Sequence, residues 1–396
     1  MPLARNTYRT ADRRQVGSRQ REREMLAGNT LAALRKVETF APMRIALVAP
    51  LYEAVPPKLY GGTERVVAYL ADALFDLGHE VTLFATADAQ CRVNLIPVRD
   101  QALRLDPHPL KSDLAAHLSM LHEVRRIADE FDIVHFHTDL LQFPLFADIA
   151  DQTLTTIHGR LDLKDLANVY LRWPRFPLVS ISENQRQPLK FANWVGTVHH
   201  GIPEDLYRFN SAPAGGYLAF LGRISPEKRP DRAIEIAKRA GIPLKIAAKI
   251  DSADRTYYQD VIKPLLCDPM VEYVGEIGEK EKSQFLGNAR ALLFPIDWPE
   301  PFGLVMIEAM ACGTPVIAWN CGSVPEVLED GVTGRIVSSE NEAVAAIEQV
   351  ASLNRFRIRH IFEQRFSSVT MANNYLSLYR RLGSRLAEQG RHMKPD

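Results

Sequence analysis

Cysteine is scarce in this chain of 396 residues, and its four cysteines are not spaced for a common task. No Cys-x-x-Cys pair occurs among them, and none lies at the spacing from a histidine that zinc sites show; the four are Cys91, Cys267, Cys312 and Cys321. This argues against a zinc ribbon or a dithiol redox centre. Such cysteine usage is typical of buried thiols in a reducing compartment, so we expect a cytoplasmic protein.

The chain also lacks net charge and long apolar runs. It has 48 Lys and Arg residues against 48 Asp and Glu residues, so no overall field attracts nucleic acid or another acidic polymer. Its most apolar stretch, Leu304 to Trp319, contains Glu308 and ends in turn residues, unlike a membrane span of about 18 or more apolar residues. We expect no nucleic-acid partner and at most peripheral contact with a membrane.

Composition and length are those of a globular protein with more than one core. Hydrophobic residues make up 46% of the chain and charged residues 24%, which argues against a fibrous or largely disordered protein. Because one hydrophobic core seldom organises so long a chain, we expect two domains with a cleft between them.

Residues 1–42 differ from the rest of the chain. They contain nine Arg or Lys residues against four Asp or Glu and lack the apolar core of a secretory signal. Two interpretations stay open: a disordered basic extension, or a true start at Met43. Both are favoured over a membrane anchor, because the basic residues have no apolar face opposite them.

From Met43 onward, short apolar runs alternate with helical patterns. Arg44 to Ala49 predicts a buried parallel strand, and Thr63 to Leu77 predicts an amphipathic helix that Gly78 ends. Further strands are predicted at Val81 to Ala85, Asp132 to Phe136, Thr153 to Ile157 and Leu178 to Ile181. Residues 43–198 therefore predict a first Rossmann-like domain.

The same alternation begins again after Gly201-Ile202-Pro203. Pro230 to Ala240 predicts a helix, with proline at its first position and glycine just past its end. Strands are predicted at Tyr217 to Leu221, Leu244 to Ala248, Val271 to Val274, Ala291 to Phe294 and Pro315 to Ala318. We expect a second Rossmann-like domain over residues 199–365, and a C-terminal helix and tail over residues 366–396 that packs back towards the first.

The predicted fold class is α/β, with two Rossmann-like parallel-sheet domains facing a central cleft. In such sheets the ligand loops lie at the carboxyl ends of the strands. Both sets of loops are therefore expected to open into one cleft.

The segment from Asp297 to Pro315 carries the densest group of functional residue types, directly after a predicted strand. The amides of Phe302 to Leu304 begin a helix and suit a phosphate. One carboxylate can accept from a ribose diol and a second can hold sugar hydroxyls, and the segment supplies two in Glu300 and Glu308. The alternatives are a favourable first-turn charge at Glu300 and a solvated Glu308, which the apolar neighbours of Glu308 argue against.

The spacing Glu300-x7-Glu308, with Phe302-Gly303-Leu304 and Gly313-Thr314-Pro315, resembles the signature of retaining GT-B-fold glycosyltransferases, specifically glycosyltransferase family 4. The resemblance extends from Met43 to about Leu382. It implies that Glu308 binds the nucleotide ribose and Glu300 contacts the donor sugar. The implied donor-binding residues are Gly61, Gly62, Val274, Gly275, Phe302, Gly303, Leu304, Val305 and Glu308.

A second group follows the strand predicted at Tyr217 to Leu221. A turn there projects Arg223 and Lys228 into the cleft, where two fixed cations stabilise a departing diphosphate; the resemblance implies this same role. Arg229 occupies a position where many family members have glycine. We expect Arg229 and Arg232 to form a solvated basic face.

Glycines open the predicted helix of the first domain. Tyr60-Gly61-Gly62 lets backbone amides approach a phosphate without interference from Cβ atoms, although a simple loop hinge is the alternative. Its position after the first strand matches the family's donor-phosphate loop. Main-chain atoms at Val274-Gly275 are expected to bind the nucleotide base.

The histidines are expected to bind no metal. His158 ends a predicted strand and matches the family's cleft histidine, near the donor sugar and the acceptor. His135 and His137 alternate along another strand without a third ligand in view, which favours core histidines over metal ligands. His200 stands where relatives often have asparagine.

No Asp-x-Asp pair is present to hold a metal-bound nucleotide sugar. The resemblance thus implies a retaining, metal-independent hexosyltransferase without a cofactor. A UDP-sugar is the favoured donor, and the acceptor is an unidentified saccharide, lipid-linked or small molecule. Alternatives are a GT-B-fold sugar-nucleotide epimerase, a phosphorylase with lysine-bound pyridoxal, and a catalytically silent partner subunit.

Overall fold

A computed structural model of the protein describes residues 41–58 and 61–388. Of the basic extension predicted over residues 1–42, residues 1–40 lie outside the described residues, as do Leu59, Tyr60 and residues 389–396 of the predicted C-terminal tail.

The first half of the described chain forms one parallel sheet of seven strands in the order β3-β2-β1-β4-β5-β6-β7. Its inner strands are almost fully buried, as expected for a sheet covered by helices on both faces. The strands are β1 Arg44–Val48, β2 Glu80–Thr86, β3 Asn94–Arg99, β4 Ile133–Phe136, β5 Thr153–Thr156, β6 Leu178–Ser180 and β7 Trp194–Thr197.

The second half forms a parallel sheet of six strands within the described residues, in the order β10-β9-β8-β11-β12-β13. The strands are β8 Leu218–Arg223, β9 Leu244–Lys249, β10 Val271–Gly275, β11 Ala291–Phe294, β12 Val316–Trp319 and β13 Gly334–Val337. The predicted α/β class with two Rossmann-like sheets is confirmed.

Helices cover both sheets and connect successive strands. The longer ones are α1 Gly62–Asp76, α2 Asp113–Arg126, α3 Leu166–Arg172, α4 Pro230–Ala240, α5 Glu279–Gly287, α6 Leu304–Ala311, α7 Glu340–Val350, α8 Arg355–Arg365 and α9 Ser368–Glu388. Short helical turns lie at Ala128–Glu130, Phe143–Phe146, Ala147–Gln152, Gln187–Leu189, Ser252–Asp254, Arg255–Tyr257, Lys263–Leu265 and Val324–Val327, and a π-helical turn lies at Tyr258–Ile262.

Three strands have no counterpart in the sequence prediction, and all three are edge strands: β3, β7 and β13. An edge strand is covered less completely than an inner one, so its residues need not form a continuous apolar run. Strand β3 alternates exposed and half-buried residues and contains Pro97, and every residue of β7 is half-buried.

Helix α9 returns to the first half of the molecule. Met371, Tyr375 and Tyr379 are buried in the same hydrophobic cluster as α1 and the core of the first sheet. Helix α9, which follows the second sheet in the chain, thus packs against the first half.

The strand orders fix where a ligand site can form. The order reverses between β1 and β4 in the first sheet and between β8 and β11 in the second. Crevices form outside the carboxyl ends of parallel strands at such switch points. Helix α1 begins after β1, Arg223 ends β8, and Glu300 follows β11.

Among the helices of residues 61–388, none combines the length and apolar character needed to cross a membrane.

The four cysteines differ in exposure. The expectation of buried thiols holds for Cys312 and is wrong for Cys267, which is exposed, while Cys91 and Cys321 are half-buried.

Candidate functional site

A cavity of about 450 Å³ lies between the carboxyl ends of the two sheets. Most of the residues predicted to act together line it: Gly61, Gly62, His158, Arg223, Lys228, Glu300, Phe302, Gly303, Leu304, Val305 and Glu308. Val274 and Gly275 are not among the lining residues of the described chain; the next two residues, Glu276 and Ile277, are. The strand bulges at Gly275, whose φ is +81°.

Lys228 and Glu300 form an ion pair at the cavity wall. The Lys228 ammonium bonds Glu300 Oε2, which also accepts from Trp298 Nε1 at 2.8 Å. The ammonium lies 5.3 Å from the Trp298 ring centroid and 5.6 Å from that of Phe294. The side chains of Lys228 and Glu300 are each less than a fifth exposed. The pair therefore lies among aromatic rings with little solvent around it, which strengthens the interaction between the two charges.

Arg223 is placed by the end of β8 and faces three carboxylates. Its guanidinium lies 3.1 Å from Glu227, 3.4 Å from Asp254 and 3.9 Å from Asp251. These contacts hold the side chain near the cavity. An anion bound near Arg223 would compete for its guanidinium with these three carboxylates, which are partly exposed to solvent.

Arg229 and Arg232 do not form the expected solvated basic face. Arg229 has a left-handed backbone with φ 53° directly before α4, which accounts for glycine being suited to this position. Its guanidinium pairs with Asp231 and Asp297, both at 2.9 Å. Arg232 bonds the Pro295 carbonyl at 3.0 Å and covers the Trp319 ring.

Glu308 is buried, which excludes the solvated alternative. Its Oε1 accepts from Tyr207 Oη at 3.0 Å and from Lys282 Nζ at 2.9 Å. Burial by itself raises the pKa of this carboxyl, but attraction to Lys282 and the hydrogen bonds outweigh burial and hold the pKa below its usual range. Glu308 is therefore ionised at neutral pH and can accept from a diol.

Two helix N-termini meet at the cavity. Helix α6 follows Gly303 and α1 follows Gly61, and neither start has a side-chain cap. Gly303 has φ +82°, and a Cβ there would lie 2.9 Å from Met306, so only glycine fits. A Cβ on Gly62 would lie 3.8 Å from Leu304. The free amides of both helices thus adjoin one space suited to an anion.

The histidines form a row in which His135, His137 and His200 are buried and His158, at the cavity, is half-buried. His137 Nδ1 lies 2.8 Å from His158 Nε2, and the His158 ring stacks on that of His200 at 5.2 Å. Burial lowers the pKa of His158 to about 3, so its ring is neutral at physiological pH. His135 bonds Tyr379 and Thr156, each at 2.8 Å, as a core histidine does.

The described residues offer no ready metal site. Within residues 41–58 and 61–388, no group of three or more His, Cys, Asp or Glu side chains is arranged to hold a metal ion. The absence of a metal requirement in catalysis stays a prediction.

Sequence reasoning missed several polar residues that line the cavity or adjoin it. Arg65, Glu279 and Lys282 line it, and Tyr207 bonds both Glu279 and Glu308. A sequence signal existed for Glu279 and Lys282, which lie three apart at the start of a helix and so share a face. No local signal links them to Arg65, which lies more than 200 positions away.

Two family models match the chain. "Glycosyltransferase Family 4" matches residues 60–223 and "Glycosyl transferases group 1" matches residues 206–365. Together the two matches span well over half of the chain and include every residue that lines the cavity in the described chain except Pro57 and Lys58.

Curated relatives include several D-inositol 3-phosphate glycosyltransferases. That of Mycobacterium leprae is 30% identical over 197 residues, covering 44% of this chain and 43% of the relative. That of Mycolicibacterium smegmatis is 25% identical over 407 residues, covering 85% of this chain and 89% of the relative. For several of these relatives, the match to this chain spans less than half of their length.

Solved structures share the fold over nearly the whole described chain. Sucrose-phosphate synthase from Thermosynechococcus elongatus superposes with a TM-score of 0.70 at 20% identity, covering 87% of this chain and all of that one. HepE of Anabaena, solved with UDP and glucose, has a TM-score of 0.67 at 20% identity, covering 86% of this chain. The resemblance noted in the sequence is thus confirmed: the chain belongs to the GT-B-fold glycosyltransferases, and it matches family 4 over its first half and group 1 over its second.

Proposed function

We propose that this protein transfers a hexose-type sugar from a nucleoside-diphosphate sugar to an acceptor held on the first domain's side of the cleft. One observation carries the proposal. The same 450 Å³ cavity is lined by the cations Arg223 and Lys228, the carboxylates Glu300 and Glu308, and the uncapped N-termini of α1 and α6. This set meets each part of a nucleotide sugar with a group of suitable chemistry.

The donor would lie along the second sheet. Glu308 would accept from the ribose diol, the amides at the starts of α1 and α6 would bind the diphosphate, and Glu300 would orient sugar hydroxyls. The base would lie near Val274-Gly275 and the cavity residues Glu276 and Ile277. A UDP-sugar is the favoured donor, since the similar HepE structure holds UDP.

Catalysis would rest on charge that develops as the donor breaks. The bond from the anomeric carbon to the phosphate oxygen breaks while the acceptor oxygen bonds that carbon on the same face, giving retention. The departing diphosphate takes the acceptor's proton. Lys228 and Arg223 would exchange part of their attraction to protein carboxylates for the growing phosphate charge, so they stabilise the transition state more than the ground state.

A panel of UDP-, GDP- and ADP-sugars tests the proposal. Mass spectrometry would follow the release of free nucleoside diphosphate, with and without candidate acceptors, in the unaltered protein and in Lys228→Ala. We expect release from one donor class, faster with an acceptor and nearly lost in the variant. Tight binding without release would instead indicate a silent subunit, and a changed sugar without release would indicate an epimerase.

A further inference from the structure

Six charged or polar side chains form a cluster across the cleft: Arg65, Tyr69, Tyr207, Glu279, Lys282 and Glu308. We refer to them as the cross-cleft cluster. Arg65 and Tyr69 lie on α1 of the first half, whereas the other four residues belong to the second half. Tyr69 Oη makes a long contact of 3.5 Å to Glu279 Oε2. Arg65 pairs with Glu279, so the cluster joins the two halves beside the proposed ribose carboxylate.

The two carboxylates of the cross-cleft cluster share their donors. Tyr207 Oη lies 2.9 Å from Glu279 Oε2 and 3.0 Å from Glu308 Oε1. Lys282 Nζ lies 3.3 Å from Glu279 Oε1 and 2.9 Å from Glu308 Oε1. Tyr207 has a single hydroxyl proton and can donate it to only one carboxylate at a time. Glu279 and Glu308 therefore compete for the same two groups.

The ion pair with Arg65 determines which carboxylate Lys282 and Tyr207 contact. Its guanidinium satisfies Glu279 from the opposite side of the cleft, which leaves Lys282 and Tyr207 to hold Glu308. Without Arg65, two like charges would share one ammonium, in a site where the side chains of Arg65, Lys282 and Glu308 are at most 14% exposed. Charges so poorly solvated are costly to leave uncompensated, so Lys282 and Tyr207 would turn towards Glu279.

We propose that Arg65 and Glu279 are positioning residues that hold Glu308 in the orientation that binds the donor ribose. The inference rests on the proposed function, because it takes the ribose as the ligand of Glu308. While Arg65 pairs with Glu279, Lys282 and Tyr207 remain with Glu308 and fix its accepting orientation.

The ribose diol provides a direct test. Calorimetry would compare UDP with 2′,3′-dideoxy-UDP, so that the ratio of the two dissociation constants reports the contact between the diol and Glu308. In the unaltered protein we expect at least a tenfold ratio, as suits a hydrogen bond to a charged group. In Arg65→Met and in Glu279→Gln we expect a ratio below threefold, and a partial return in Arg65→Lys.

Arg92→Met is the matched control, because Arg92 pairs with Asp76 at the far end of the same helix, away from the cavity. It should keep the full ratio, and thermal unfolding would verify that each variant is folded. The double variant Arg65→Met, Glu279→Gln should lose no more than either single change, since both remove one coupling.

Two results would overturn the inference in distinguishable ways. A full diol ratio in folded Arg65→Met and Glu279→Gln would show that Glu308 needs no positioning from across the cleft, with the proposed function intact. Failure of the unaltered protein to bind UDP, GDP or ADP would remove the proposed donor and the coupling with it.

Discussion

At the scale of single residues, the structure shows that the predicted site groups are not free. Lys228 is paired with Glu300, and Glu308 is paired with Lys282. These pairs keep poorly solvated charges compensated. Each variant at these positions therefore alters an ion pair as well as the proposed contact with the donor.

Lys228→Ala tests the proposed stabilisation of the leaving diphosphate. Turnover should fall by roughly 10²-fold or more, and donor binding should fall less, because the phosphate charge grows during the reaction. Lys238→Ala is the control, since Lys238 pairs with Asp268 on the surface. Steady-state kinetics of both variants decide the matter, and near-normal turnover in Lys228→Ala would contradict the assignment.

Glu308→Gln is expected to weaken binding of the nucleoside diphosphate by about 1.5–3 kcal/mol, since the diol loses a charged acceptor. Isothermal titration with the unaltered protein and the variant measures this difference. Unchanged affinity would leave Glu308 with a purely structural role.

The effect of Glu308→Gln on stability is expected to depend on pH. The folded pKa of Glu308 lies below its ordinary value of 4.5, so its ionised form stabilises the fold above about pH 4.5, and this contribution is lost as the pH falls through the folded pKa. The difference in free energy of unfolding between the unaltered protein and Glu308→Gln should therefore shrink below about pH 4.5. Glu348→Gln, on the surface, should show no such trend in the same denaturant titrations, and a difference that widens in acid would refute the sign.

At the scale of elements, α4 begins under an unusual constraint. Arg229 holds a left-handed backbone at φ 53° immediately before Pro230. Its two ion pairs with Asp231 and Asp297 hold it there. The loop that carries Lys228 thus keeps a shape usually formed by glycine, without containing glycine.

Comparison of Arg229→Gly with Arg229→Ala isolates the free-energy cost of the positive φ at this position. Both changes remove the same ion pairs, but only alanine retains the steric cost of positive φ, so Arg229→Ala should be about 1 kcal/mol less stable than Arg229→Gly. Chemical denaturation of the two variants measures the difference. Equal stabilities would mean that the loop relaxes when its ion pairs are lost.

At the scale of the whole molecule, the site exists only where the two halves meet. Cations from β8 and the loop after it, the helix start after β1 and the carboxylates after β11 come from separate parts of the chain. On the proposed function, this convergence would supply positive charge and amide dipoles to the diphosphate, the role that a metal ion has in other designs.

Removal of divalent ions is therefore expected to leave turnover unchanged. The protein would be stripped with a strong chelator, metal loss confirmed by elemental analysis, and donor turnover measured with and without added magnesium or manganese. Turnover that vanishes on stripping and returns only with a divalent ion would refute the metal-free mechanism.

Much of the architecture could be predicted from the sequence, because buried parallel strands need continuous apolar runs and helices need an apolar face. Ala291–Phe294 and Pro230–Ala240 have the predicted bounds. The edge strands β3, β7 and β13 could not be predicted in this way, because partial exposure weakens the apolar signal, whereas the edge strand β10 could. Glu300 and Glu308 could be proposed because their spacing around a helix start is local.

The local chemistry can thus be predicted from the sequence: which segments form strands and helices, and which carboxylates and glycines lie near helix starts. Which charges meet depends on the tertiary fold. The pairing of Arg65 with Glu279 joins residues 214 positions apart, and Glu279 and Glu308 share contacts with Tyr207, which lies far from both in the chain. Periodicity and propensity act over a few turns of chain, whereas ion pairs across a cleft follow from how two folded sheets face each other.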